Sequence, residues 1–191
     1  MLIVSCGSTN KTEVIQEQVT YNKDKNASTF TEFLGDITDT PLGFTLSIPS
    51  MPQILWDDNE SKLLTFAELE SITAELKSAF FYKKDNDIQD YWDAYIYKLY
   101  KEENFFTGDC DDFMIVVNFK LRESGYSNRD HTFALGYDNT YHAYELVRSS
   151  DVGVVVIDNV YGITLLGDSV FKHDKLLSNG KWFKFKIKVK K

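Results

Sequence analysis

The chain is poor in cysteine, proline, histidine and net positive charge, and it has no long apolar run. Two cysteines in 191 residues, Cys6 and Cys110, exclude a disulfide-dense scaffold, and the absence of clustered ligands excludes a Cys/His zinc site. One disulfide between them is open to the chain, although nothing in their spacing points to it. Three prolines and ten glycines exclude a collagenous or low-complexity class. No apolar stretch approaches the roughly 18 residues of a membrane-spanning helix, so no transmembrane segment is expected. With 29 acidic against 21 basic residues, the net charge of −8 argues against a general nucleic-acid binder. What is present is apolar: 43% hydrophobic and 15% aromatic residues, enough for the core of one domain with or without an extension.

The first residues, Met1-Leu-Ile-Val-Ser-Cys6-Gly-Ser, read in two ways. They look like the end of a bacterial lipoprotein signal, which would make Cys6 a lipidation remnant. They lack the basic start and the roughly 7–15 apolar residues of such a signal, so a short strand carrying a buried cysteine is expected instead. Residues 8 to 60 are polar and turn-rich, with one clean alternation, Gly43–Ile48, between Pro41 and Pro49. Two segments are therefore expected: 1–60 as an extension, partly strand, that docks on the domain or a partner, and 61–191 as the domain.

Within 61–191 helices come first. Phe66, Leu69, Thr73, Leu76 and Phe80 form one stripe, predicting a helix over 61–84 capped by Ser61. A second helix is predicted from Asp87, with Ile88, Tyr91, Trp92, Tyr95 and Leu99 as its buried face. Thr107-Gly108 reads as a turn. Asp109 is the natural cap of a third helix, with Asp112 three residues on as its capping-box partner and Gly125 as its stop. That helix is apolar almost all round (Phe113 to Val117, Phe119, Leu121), as a buried one would be. Strands follow: 131–137 and 141–147 as a hairpin around Asp138-Asn139-Thr140, then 152–157 as a central strand, 162–170, and 182–189. Helices followed by an antiparallel sheet define an α+β fold.

The chemistry gathers at Gly108-Asp109-Cys110-Asp111-Asp112-Phe113. A cysteine acts as a nucleophile as its thiolate, and a helix N-terminus favours that form with unpaired N–H groups and partial positive charge. The amide of Cys110 could also help hold an oxyanion. Asp109, Asp111 and Asp112 oppose this, because like charge raises a thiol's pKa. Either they are helix caps directed away from the sulfur, or a hard cation such as calcium binds them. A histidine would complete the pair. His142 is a turn histidine or the general base, and His131 competes with it. Asp158 starts a turn or orients the imidazole.

Taken together these segments resemble the bacterial transglutaminase-like cysteine proteinases, which include calcium-dependent periplasmic proteases that release biofilm adhesins. The resemblance rests on Gly108–Phe113, on His142-Ala143-Tyr144, 32 residues after Cys110, and on Val156-Ile157-Asp158-Asn159, whose Asp158 follows His142 by 16. Asp90-Tyr91-Trp92 adds to it, and it spans roughly 65–165. It implies a papain/transglutaminase-like fold with the catalytic cysteine at a helix N-terminus. It also implies Cys110 as nucleophile, His142 as general base and acid, and Asp158 as orienter. Asp109 and Asp111 match the calcium positions, with Asp111 where the family more usually has Glu.

The function expected is that of a cysteine peptidase or amidase working through an acyl-enzyme on a protein or peptide substrate. Nothing in the sequence separates hydrolysis from transglutamination. A second reading is a structural or assembly protein, for example virion-associated, whose termini are held by partners. A bacterial extracytoplasmic or virion-associated setting is expected over a eukaryotic one. The lysine-rich end, Lys181–Lys191, is a solvated strand face that discourages edge pairing or a surface for an anionic partner. Gln89 and Asn104 are candidates for a second oxyanion donor.

Overall fold

The computed structural model describes residues 62–84, 95–127, 130–178 and 181–184. The expectations for Cys6, Gly43–Ile48, Ser61, Asp87, Gln89, Asp90-Tyr91-Trp92 and the lysines beyond 184 lie outside the described residues.

The first helix, α1, is Phe66–Ala79. Thr65 begins it, with a reciprocal capping box to Glu68, and Asp151 Oδ1 accepts from the Phe66 amide at 2.9 Å. The stripe buries Leu69, Thr73 and Leu76. The helix is shorter than expected at its C-terminal end, because Phe80–Tyr82 is extended as β1. A second helix, α2, covers Tyr95–Glu103 and buries Tyr97 and Tyr100. The face expected from spacing is therefore corrected: Tyr95 is 54% exposed and Leu99 only partly buried.

Phe106–Gly108 forms β2, a strand and not the turn expected at Thr107-Gly108. It pairs in parallel with β1, Phe80 opposite Phe106 and Tyr82 opposite Gly108. Aromatic rings lock this pair to the core. Phe80 meets Phe106 and Phe113 at 5.1 and 5.2 Å between centroids, and Tyr100 meets Phe106 at 5.6 Å.

The central helix, α3, is Cys110–Glu123, as expected. Phe113 to Val117 and Leu121 are buried. Asp109 caps it, and Asp112 Oδ2 accepts from the Asp109 amide at 3.2 Å. Gly108 makes room for this, since a Cβ there would collide with the Asp112 carboxylate. Gly125, at φ 101°, follows the helix end.

One antiparallel sheet then covers one side of α3. Its strands are β3 (His131–Asp138), β4 (Thr140–Ser149), β5 (Gly153–Asp158), β6 (Gly162–Leu165), β7 (Lys172–Ser178) and β8 (Lys181–Lys184). The order is β6-β5-β4-β3-β7-β8. The hairpin of β3 and β4 turns at Asn139, at φ 56°. These two strands hold the centre, and β5, expected there, stands one place from the edge. β7 was not expected, and β6 is shorter than expected because Leu166–Asp168 turns as a 3-10 helix. Lys181–Lys184, as β8, stands at the end of the strand order among the described residues. The architecture is α+β, helices followed by an antiparallel sheet. Among the described residues, no helix is long and apolar enough to cross a membrane.

Candidate active site

Four parts of the fold meet at one open cleft of about 520 Å³. Lys77, Phe80 and Tyr82 come from the end of α1 and from β1. Cys110 comes from the first turn of α3, Thr140 and His142 from the start of β4, and Asn159 and Val160 from the turn after β5. The Lys77 ammonium donates to the Val160 carbonyl at 2.8 Å and ties that turn to α1. The parallel pairing of β1 with β2 fixes Gly108, and so fixes where α3 begins.

Cys110 and His142 thus share a cleft, although they lie far apart in sequence. Cys110 is 1% exposed and His142 is 7%. Asp158 sits behind His142, its Oδ1 3.5 Å from Nε2. That is ion-pair reach without the alignment of a hydrogen bond. The same Oδ1 accepts from the amides of Val160 at 2.6 Å and Tyr161 at 2.9 Å. Asp158 therefore starts the turn, and the turn fixes its carboxylate near the imidazole.

His131 is placed elsewhere. Its Nδ1 is 2.6 Å from Glu145 Oε1, which also accepts from Asn118 Nδ2 at 3.1 Å. All three side chains are buried between α3 and the sheet. Asn104, at φ 59°, is exposed, and its amide donates to the Tyr100 carbonyl at the end of α2; it does not line the cleft. The lining by Phe80, Tyr82, Thr140 and Asn159 carried no sequence signal, because it comes from pairing between distant segments. Neither did Phe171, whose ring stacks on His142 at 5.0 Å and 15°.

The carboxylates around Cys110 divide in role. Asp109 and Asp112 cap the helix, and Asp111 is 1% exposed. One oxygen each from Asp109 and Asp111 lies with the Cys110 sulfur in a cluster whose members are all within 4.8 Å. Two buried carboxylates at this distance repel each other unless a cation or proton intervenes. Their hard oxygens suit calcium, which takes six to eight oxygen ligands, so backbone or water oxygens would have to complete the set. The Cys110 sulfur is disulfide-bonded in this structure; the chain's other cysteine, Cys6, lies outside the described residues. This departs from what the sequence spacing suggested.

No family model and no curated protein matches the sequence. Solved structures do. Calcium-bound LapG of Legionella pneumophila superposes with a TM-score of 0.51 at 17% identity, covering 62% of this chain and 67% of that one. The EGTA-treated form gives 0.50 at 17%, covering 65% and 69%. The fold is transglutaminase-like. At this identity the likeness is one of architecture.

Proposed function

We propose that the chain is a bacterial extracytoplasmic cysteine peptidase or amidase acting through Cys110, His142 and Asp158. The observation that carries this reading is the meeting of Cys110 and His142 in one cleft, with the Asp158 carboxylate behind the imidazole. In the reduced protein the Cys110 thiolate attacks a carbonyl carbon of a peptide. A helix ladder does not use the amide of its first residue, so the Cys110 N–H is one donor for the oxyanion. The imidazolium of His142 gives its proton to the departing amine as the C–N bond breaks and a thioester remains on Cys110. His142 then takes a proton from water, whose oxygen replaces the sulfur and releases the acid. Asp158 holds the imidazole and stabilises its charged form.

Calcium belongs to the same reading, supported by the buried oxygen pair and by the calcium-bound neighbour. Asp109 and Asp111 would hold it, and it would neutralise the carboxylate field that otherwise opposes the thiolate. Residues 61–191 would form the catalytic domain and 1–60 the extension.

One observation favours a different reading. A disulfide at Cys110 leaves no thiolate, as suits an assembly or scaffold protein that keeps the fold without the reaction. A single experiment separates the two: profiling a peptide library with and without a reductant, with and without a calcium chelator, and with Cys110→Ala as control. Cleavage that needs reductant, falls with chelator and vanishes in the variant supports the enzyme. Absence of cleavage by the reduced, calcium-loaded protein across the library supports the scaffold.

A further inference from the structure

The His142 ring has only a loose partner on its carboxylate side, at 3.5 Å and out of hydrogen-bond alignment. Rotation of a histidine ring about its last torsion is broad and soft. An imidazole held by that contact alone would sample several planes, and proton transfer tolerates little misplacement. Something else has to set the plane.

Phe171 is the ring stacked against the imidazole. It is 6% exposed and lies just before β7, outside the cleft lining. Its ring is nearly parallel to His142, 15° apart with centroids at 5.0 Å. It is also nearly parallel to Tyr144, two residues along β4, at 6° and 4.7 Å. Tyr161, from the turn that Asp158 begins, meets it edge-on at 5.7 Å. Tyr144 is itself anchored, its hydroxyl bonded to Nδ1 of His173 on β7. Burial holds that imidazole neutral, with its pKa down to about 3. A side chain that only filled space would need no common plane with two neighbours. Offset stacking in this distance range is directional.

We infer that Phe171 is a positioning residue for His142, its ring face setting the imidazole plane so that Nε2 stays toward Asp158. The inference rests on His142 as the proton carrier of the proposed reaction. Phe171 stacks on the His142 ring and is not among the residues that line the cleft. Losing its face therefore misaligns proton transfer and leaves substrate binding alone.

The test uses the full chain, reduced and calcium-loaded, with a pool of fluorogenic peptide amides as probe. Phe171→Leu keeps an apolar side chain and removes the ring, and Phe171→Tyr keeps the ring. Phe171→Leu is expected to lower kcat by about 10- to 100-fold with KM nearly unchanged, while Phe171→Tyr stays close to the parent. In the parent protein the His142 ring protons should resonate upfield, under the Phe171 ring current, and return downfield in Phe171→Leu. A folded Phe171→Leu with parent kcat, or equal losses in both variants, overturns the inference. Should Phe171→Leu fail to fold, unshifted His142 ring protons in the parent overturn it and shifted ones support it. His142→Ala separates the two claims. Activity surviving that change removes the proton-carrier reading and this inference with it. Activity lost there but kept in Phe171→Leu removes the inference alone.

Discussion

Two histidines stand on the two central strands, and each has a buried carboxylate for a neighbour. His131, at the start of β3, meets Glu145 at 2.6 Å, with Asn118 closing the group from α3. His142, near the start of β4, meets Asp158 at 3.5 Å and borders the cleft beside Cys110. The first group is enclosed: the His131 and Glu145 side chains are 1% and 0% exposed, and one Glu145 oxygen meets both His131 and Asn118. The second is loose, its carboxylate fixed by backbone amides and its ring stacked on Phe171. A tightly bonded, enclosed imidazole contributes cohesion between helix and sheet. One with a looser partner beside a cleft has, under the proposed function, the freedom to move a proton. Two histidine–carboxylate pairs thus differ in packing, and only the second borders the cleft.

The comparison breaks most sharply under substitution of the histidines. His142→Ala should remove hydrolysis, a loss of about 10⁴-fold or more in kcat. His131→Ala should leave the turnover of folded molecules nearly intact but cost about 3–5 kcal/mol of stability, because Glu145 is left buried without its partner. Urea unfolding and steady-state kinetics on both variants read this out. The reverse pattern would exchange the roles assigned to the two sites.

A smaller effect is expected at Asp158. Asp158→Asn retains an oxygen for the amides of Val160 and Tyr161 and loses the charge beside His142. It should lower kcat by about 100-fold with little change in unfolding midpoint. A large drop in stability with unchanged kcat would make Asp158 a turn residue only.

The smallest effect concerns pH. Burial raises the Glu145 carboxyl above its ordinary 4.5, against the lowering pull of His131 and Asn118. The native state therefore holds a proton there more tightly than the unfolded chain does. Stability from this group is fully present below pH 4.5 and is lost as pH rises through the raised value. Glu145→Gln keeps an acceptor for both donors and removes the titration. The fall in stability with rising pH should flatten in that variant, as unfolding curves taken from pH 4 upward would show. An unaltered slope would place the titration elsewhere.

Much of this arrangement was legible locally. Asp109, Asp112 and Gly125 announced α3 because caps and stops act within a few residues. Thr65 and Glu68 mark the start of α1 by the same chemistry, four residues later than the Ser61 expected. The hairpin showed itself in the alternation around Asp138-Asn139-Thr140. What escaped depended on distant partners. β1 and β2 are three residues each and exist because they pair with one another. β7, Lys172-His-Asp-Lys-Leu-Leu-Ser178, lacks clean alternation and is a strand through its pairing with β3. The buried face of α2 shifted to Tyr97 and Tyr100 because the rings of Phe119 and Phe106, on other elements, receive them.

The sequence alone determined the α+β order, the cap and stop of α3, and the placing of Cys110 at that helix's first position, since these follow from short-range hydrogen bonding and apolar spacing. Only the tertiary structure decided which histidine shares a cleft with Cys110. His131 and His142 both stand near strand starts in one hairpin, and either could have been chosen by spacing. Their fates separate because α3 packs over one end of that hairpin and encloses His131 with Asn118 and Glu145. At the other end, β1 and the turn after β5 leave a cleft that His142 borders.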